Sequence, residues 1–317
     1  MLDSRLPARS SCHRSRSILI ATAARTTERT SEPPRLRLRQ RLRELWDYRE
    51  VLLNLVRKEL KVKYIGSVLG AVWSLLNPVV FLAVFTFVAK VLGASVDDYP
   101  VFLLSGLLAW NLFAVSLSTG AQSVVANANL VKKVYFPREI LPLATVGVAL
   151  VDFVLQSMVY FAFLVVIRYG FVLGSIWLYP LAFVALLLLT VAVTFWVSSM
   201  NVRYRDLQHL IGLALLVWFW LTPIVYAAGK THAQIVAPGH RWGWLFWRIY
   251  LLNPTAWIVF GFQRALYHSP DANAVLAPFT TSQLGVGLCL VIVILLVLLY
   301  ATWRIFFGLS GDFAEEL

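Results

Sequence analysis

Six stretches of this sequence are too apolar, for too long, to belong to a protein surrounded by water. Residues 69–92, 101–125, 140–167, 177–200, 207–225 and 284–307 each supply about the 20 residues that a helix needs to cross a bilayer. Backbone in hydrocarbon must satisfy its own hydrogen bonds, so these stretches are expected as helices. The expected fold is therefore an all-α integral membrane protein with six transmembrane helices. Composition agrees: 59% of the 317 residues are hydrophobic and 14% charged, where soluble domains carry roughly 45–50% and about 25%.

An even number of spans puts both termini on one side, and charge chooses the side. One set of flanks holds the basic N-terminus, the turn with Lys132, Lys133 and Arg138, the turn with Arg203 and Arg205, and the tail after Arg304. The other holds 93–100, with Asp97 and Asp98 but no Lys or Arg, the turn with Arg168, and a long loop, 226–283, with four basic residues. Lys and Arg concentrate on the cytoplasmic side of membrane proteins, so the first set and both termini are expected in the cytoplasm. The net charge of +12 does not point to nucleic acid, because 16 of the 28 Lys and Arg precede residue 69. That clustering suits an anionic lipid surface.

Residues 1–38 are rich in Arg, Ser and Thr and read as a disordered basic tail. Within the 39–68 segment, 41–63 reads as an amphipathic helix. Leu42, Leu45, Trp46, Leu52, Leu53, Val56 and Leu60 share one stripe, with Asp47, Asn54, Lys58 and Lys61 opposite. Such a helix is expected to lie in the interface plane, with Trp46, Tyr48, Arg49 and Lys58 near lipid headgroups. Arg49, inside the apolar stripe, either snorkels to headgroups or meets a lipid-linked anion. The 226–283 loop contains "WGWLFWRIYLLNPTAWIVFGFQRALY", broken at Asn253-Pro254. Two half-helices dipping into the outer leaflet fit it; a broken seventh span is the alternative and would put the C-terminus outside.

No phosphate-binding loop, metalloprotease motif, Cys-x-x-Cys pair or nucleophile elbow occurs in the sequence. His232, His240 and His268 have metal-like spacing with nothing, and Cys12 and Cys289 do not read as a disulfide framework. Asp152 lies mid-span, where a charge faces the bundle interior or a pathway. It is either a functional polar contact or a structural bond to a neighbour such as Gln156. Aromatics crowd the first and fifth spans: Trp73, Phe81, Phe85 and Phe87, then Trp218, Phe219 and Trp220. They can stack on sugar rings or simply pack a core. Pro78 and Pro223 are expected to break or kink the same two spans.

"NLVKKVYFPREILP" (129–142) reads as a short helix ending before Pro137, with Pro137 opening the next one. A residue before proline leaves the helical region. Tyr135 and Phe136 are then expected at an exposed apex beside Lys132 and Lys133, in a form suited to a protein socket. "NVRYRDLQHL" (201–210) offers Arg203, Arg205 and Asp206 at the next turn on that side.

Taken together, "LWDYREVLLNLVRKELKVKYIGSVLGAVWSLLNPV", "NANLVKKVYFPREILPLA", "NVRYRDLQHL", "LTPIVY", "LLNPTAWIVFGFQRALY" and the ending "FAEEL" resemble the membrane subunit of type-2 ABC exporters of lipid-linked polysaccharides. These include O-antigen, capsule, teichoic acid and galactan exporters. The resemblance runs from about Leu42 to the C-terminus. It implies a half-transporter that pairs with a second copy and docks two separate ATPase subunits, which carry the ATP and Mg; this chain itself would hold no cofactor. By the same resemblance, the segment from Asn129 to Pro137 is a coupling helix seated in the ATPase. The helix before the first span gates lateral access of the lipid pyrophosphate. Short external gate helices include Asn253, Pro254 and Arg264, and the first and fifth spans line the channel. "NPTAWIVFGF" departs from the commoner Leu-Thr-Pro version. Two other readings remain at this point. One is a type-2 exporter of a drug or small lipid. The other is a membrane glycosyltransferase or ligase, which would need a loop acid such as Asp97, Asp98, Asp271, Glu139 or Asp206 as its base.

Overall fold

The computed structural model describes residues 38–65, 72–91, 96–170, 173–236, 242–269 and 272–317. The expected tail up to residue 37, the side chains of Trp73 and Pro78, and His240, Arg241 and Asp271 lie outside those residues. Among the described residues all regular structure is helical. In chain order the helices are α1 (Leu38–Asp47), α2 (Arg49–Tyr64), α3 (Val72–Val91), α4 (Tyr99–Ala126), α5 (Ala128–Lys133), α6 (Ile140–Val166) and α7 (Leu178–Arg203). They continue with α8 (Leu207–Trp220), α9 (Ala228–Ile235), α10 (Gly243–Tyr250), α11 (Pro254–Leu266), α12 (Ala272–Val275), α13 (Thr281–Leu309) and α14 (Phe313–Glu316).

Among the described residues, four helices are long and apolar enough to cross a membrane: α4, α6, α7 and α13. Of the other two expected spans, α3 covers the described part of its own over 20 residues and α8 is shorter. The apolar part of α3 is Val79–Val88, and α8 runs only from Leu207 to Trp220. The fifth span was expected to reach residue 225. It stops earlier because Pro223 cannot donate a helical hydrogen bond, and the chain turns at Leu221–Thr222, where Thr222 Oγ1 donates back to Trp218 O at 2.8 Å.

Close helix approach is built on small residues. A Cβ on Gly120 of α4 would lie 2.3 Å from Thr194 Cγ2 of α7. One on Gly261 of α11 would lie 2.8 Å from Ala182 of α7, and one on Gly287 of α13 would lie 2.2 Å from the Trp257 ring. A capping box starts α13: Thr280 Oγ1 accepts from Gln283 N, and the Gln283 side chain accepts from Thr280 N.

The buried side chains fall into two clusters. The larger is built from α4, α6, α7, α8, α11 and α13, with Phe102, Phe113, Phe260 and Phe262 nearly solvent-free. The second gathers Leu55 of α2, Val124 of α4, Val131 of α5, Phe136, Ile140 and Leu141, Phe195 and Val202 of α7, Trp303 and Phe306 of α13, and Phe313 of α14. This second cluster lies at the basic end of the bundle, where Lys132, Lys133, Arg138, Arg203 and Arg205 are found.

The segment 41–63 is two helices, with Tyr48 at the break (φ −89°, ψ 12°). Its buried face overlaps the predicted stripe in part: Leu45, Leu52, Val56 and Leu60 are half-buried and Leu55 beside them is buried, whereas Leu42, Trp46 and Leu53 are exposed. The reason is that α2 leans along α6. Val56 meets Gly147 and Lys63 meets Asp152, so about 10 Å of α2 advances about 7.5 Å along α6.

Candidate functional site

At the basic end, α5 stops at Lys133 and the chain becomes extended at Val134 (φ −126°, ψ 135°). Successive side chains of extended backbone point to opposite sides, and the pair that follows obeys this. Tyr135 is 89% exposed, while Phe136 is 7% exposed and belongs to the second cluster. The expectation that both rings face outward is therefore corrected: Tyr135 forms the apex and Phe136 is its anchor. Asn129, Lys132 and Lys133 are exposed, and Pro137 is buried. Pro137 does not open the next helix directly, because Arg138 and Glu139 intervene before α6.

Arg138 lies over the Phe313 ring at 5.9 Å. Burial holds its guanidinium below the ordinary value, against the opposing pull of Glu139 and Tyr135. Phe313 packs on Phe306 with centroids 5.4 Å apart, and Glu316 accepts from Arg203 at 3.3 Å. The short α14 thus touches both basic turns. Beside it an open cleft of about 860 Å³ is lined by Trp196, Arg203, Tyr204, Arg205, Asp206 and Glu316, among others.

Glu139 is the residue whose surroundings the sequence disguised most. It has no exposed surface. Arg41 grips it with two prongs: Nε donates to Oε1 at 2.9 Å and Nη2 to Oε2 at 3.0 Å. Trp303 Nε1 donates to Oε1 at 3.2 Å. Arg41 also donates to Glu44 at 2.5 Å and sits over the Phe307 ring at 4.8 Å. Burial pulls the Arg41 pKa down, but the bonds and charges of Glu139 and Glu44 outweigh it and leave it above its ordinary value. A carboxylate so enclosed is a poor general base, and the enzyme reading loses one of its acids. Asp152 has a similar answer. Lys63 Nζ donates to Oδ2 at 2.5 Å and Tyr64 OH to Oδ1 at 2.7 Å. Gln156 instead accepts from Asn111 at 3.1 Å. Among the residues expected at headgroups, Trp46, Arg49 and Lys58 are exposed and Tyr48 is half-buried; Arg49 lies 5.6 Å over the Trp46 ring.

The aromatics of α3 and α8 do meet. Phe81 stacks on Phe85 at 5.7 Å, both approach Phe219 at 6.1 and 6.2 Å, and Phe85 meets Trp220 edge-on at 6.3 Å. Phe219 is buried, Trp218 half-buried and Trp220 55% exposed. Trp218 is held from the far end of the bundle: its Nε1 donates to Asn253 Oδ1 at 2.9 Å and Thr255 Oγ1 at 3.0 Å.

Asn253 caps the start of α11, and Pro254 is its first residue. The Asn253 side chain accepts from Thr255 N at 3.1 Å, capping α11, and donates to Leu221 O at 3.2 Å. One side chain thus ties the break after α8 to the break before α11. Gln263 Nε2 adds a buried bond to Pro223 O at 2.8 Å, and Arg264 donates to Phe279 O. Replacing Asn253 with Ala removes a cap worth about 1 kcal/mol and takes away one of the two acceptors of the Trp218 N–H, leaving Thr255 Oγ1 as the other, at about 1 kcal/mol for the lost bond. We expect a loss of about 2 kcal/mol, read as a lower unfolding temperature in mild detergent; an unchanged transition would show that water replaces these bonds. Among the described residues no three His, Cys, Asp or Glu side chains converge as metal ligands would.

Long apolar helices running through two cores, with short helices and turns at both ends, define a polytopic helical membrane protein. Within that class, the sequence profile of the family described as "ABC-2 type transporter" matches residues 50–267. The chain is 30% identical over 282 residues to the O-antigen export system permease protein RfbA of Myxococcus xanthus, covering 87% of this chain and 98% of that protein. Two proteins of the same name from Klebsiella pneumoniae are 34% identical over 180 and 194 residues, covering 56% and 61% of this chain and 70% and 74% of theirs. The chain belongs to the ABC-2 type transporter family, as a membrane-embedded transport component.

Proposed function

We propose that this chain is the transmembrane subunit of an ATP-driven exporter that moves a lipid-linked polysaccharide outward across the cytoplasmic membrane. It works as a homodimer on two separate ATPase subunits, which bind the ATP and Mg. The observation that carries this reading is the match to an O-antigen export permease over 98% of that relative's length. In this reading α3 and α8 join the four long helices as spans, both termini are cytoplasmic, α1 and the start of α2 lie at the membrane surface among lipid headgroups while the end of α2 climbs α6 to Asp152, and α10–α11 dips into the outer leaflet as a gate.

The ATPase docks on the apex Asn129–Lys132–Lys133–Tyr135, anchored by Phe136 and Pro137, and on the turn Arg203–Arg205–Asp206. Closure of the ATPases displaces these turns, the spans part, and the glycan threads past the aromatics of α3 and α8. A protruding tyrosine just after two exposed lysines, fixed on a buried phenylalanine, suits a socket in a partner protein. Tyr135→Ala tests it, because an 89% exposed side chain contributes little to the fold. The expected result is normal membrane yield with at least tenfold less ATPase in the pull-down. Undiminished ATPase would refute docking at the apex. No ATPase with the wild-type chain in gentle detergent would refute the exporter itself.

A further inference from the structure

We propose that α1 and α2 ride on α6, α1 fastened by Arg41–Glu139 at the foot and α2 by Lys63–Asp152 higher up, so that displacement of the docking loop is delivered directly to α1–α2. Arg41 and Glu139 are then positioning residues for transport. The inference rests on the exporter reading given above.

Position is the first argument. Glu139 is the last residue of the docking loop and the one immediately before α6. All of its recorded side-chain bonds leave the loop, to Arg41 of α1 and Trp303 of α13. Whatever shifts the loop shifts this carboxylate, and two charge-assisted bonds in a fork geometry resist both sliding and rotation. Asp152 is the thirteenth residue of α6, about 18 Å along the helix from its start. There it takes both Lys63 and Tyr64 from the last turn of α2.

The seam between the two fastenings is close-fitted. Leu55 packs into the cluster with Ile140, Leu141 and Ala144. Gly147 has no side chain where Val56 presses in: a Cβ there would be 2.8 Å from Val56 Cγ2. On its other side α1–α2 leaves Leu42, Trp46, Leu53 and Val62 exposed, so its position is set by the face toward α6 and, at Arg41, by the Phe307 ring of α13. Choice of chemistry is the second argument. A buried ion pair such as Arg41–Glu139 holds helices together no better than apolar residues of like volume, and the best-attested use of such a pair is to fix register; Lys63 is exposed, but its partner Asp152 is buried and so needs the bond. Here one pair fixes α1 to the foot of α6 and the other fixes the end of α2 to its middle.

The seam also supplies the test. A Cβ at position 147 would lie 4.0 Å from Val56 Cβ, within the usual 3.5–4.5 Å span of a disulfide. In a background with Cys12 and Cys289 replaced by Ser, Val56→Cys with Gly147→Cys locks α2 to α6 on oxidation. Transport is followed as the producing cell's own surface polysaccharide, metabolically labelled with a radioactive sugar. ATPase co-purification is scored in parallel.

A rider tolerates the lock, so oxidised and reduced proteins should export within twofold of one another. Arg41→Gln with Glu139→Gln removes both charges together and so avoids an unpaired buried carboxylate. It should keep normal membrane yield and ATPase binding but export at least fivefold less, and the oxidised 56–147 lock should restore export to within twofold of the unsubstituted protein. Arg41→Lys, which keeps the charge and loses the fork, is the second variant should the double one fail to insert, with the same expected loss and rescue. Export blocked by the lock and revived by reductant would mean that α2 must move on α6, and the proposal fails. Normal export without the charges, or a loss that the lock does not rescue, sinks it equally. Absence of ATPase from the wild-type complex would instead count against the exporter reading.

Discussion

Phe136→Ala should cost the protein about 3–5 kcal/mol, the range for emptying a buried phenylalanine site, although its neighbour Tyr135 can be removed almost without effect. The ring is 7% exposed and packs in the cluster that unites α2, α5, α6, α7, α13 and α14. Rigid neighbours limit collapse of the cavity, because Pro137 and the start of α6 follow at once. The loss should appear as an earlier unfolding transition in detergent and as reduced membrane yield. A transition within the equivalent of about 0.5 kcal/mol of wild type would mean that the loop is not anchored by this ring. The contrast matters for interpretation. A variant changing both residues would lose ATPase binding through misfolding as readily as through docking, so Tyr135→Ala alone is the clean probe.

Gly243→Ala, a change of one methyl, should destabilise the far end by about 3 kcal/mol, the upper end of the range for overpacking. The added Cβ would fall 1.9 Å from the carbonyl oxygen of Ile235 and 3.3 Å from Val236 Cα. Backbone cannot step aside by a rotamer change, so α9 and α10 must separate. That separation also moves Trp247, which stacks on Tyr250 at 5.3 Å and meets His232 at 4.7 Å. Faster limited proteolysis in 228–250, with the basic end unaffected, is the expected signature. A digestion pattern matching wild type would show that the two short helices are not in firm contact.

The sequence announces what repeats over long distances and conceals what depends on two distant residues. Four of six apolar stretches appear as long helices because length and hydropathy suffice to mark them. The shortening of α8 was foreshadowed by Pro223, but its exact stopping point depends on Asn253 reaching back to Leu221, thirty-two residues away. Opposite orientations of Tyr135 and Phe136 were within reach, because extended backbone before a proline implies alternation. Which ring turns inward is decided by Phe313 and Trp303, far along the chain. Arg41 had no feature to distinguish it in a tail crowded with arginines, and Glu139 looked like an ordinary loop acid. Only folding brings residues 98 apart together. The amphipathic stripe was right for Leu45, Leu52, Val56 and Leu60 and wrong for Leu42, Trp46 and Leu53, because it assumes one straight helix where the chain breaks at Tyr48 and brings Leu55 inward.

The unbroken length of α4 has a mechanical meaning. Its 28 residues carry no interruption between the outer core and the basic end, so it is a rod of about 42 Å. A rod cannot absorb a push at one end by shortening. If its lower end is held and turned, a tilt of about 10° displaces the other by about 7 Å over that length. Leverage of this kind lets a small displacement at the basic end become an opening of molecular width at the other, with every backbone hydrogen bond of the helix kept.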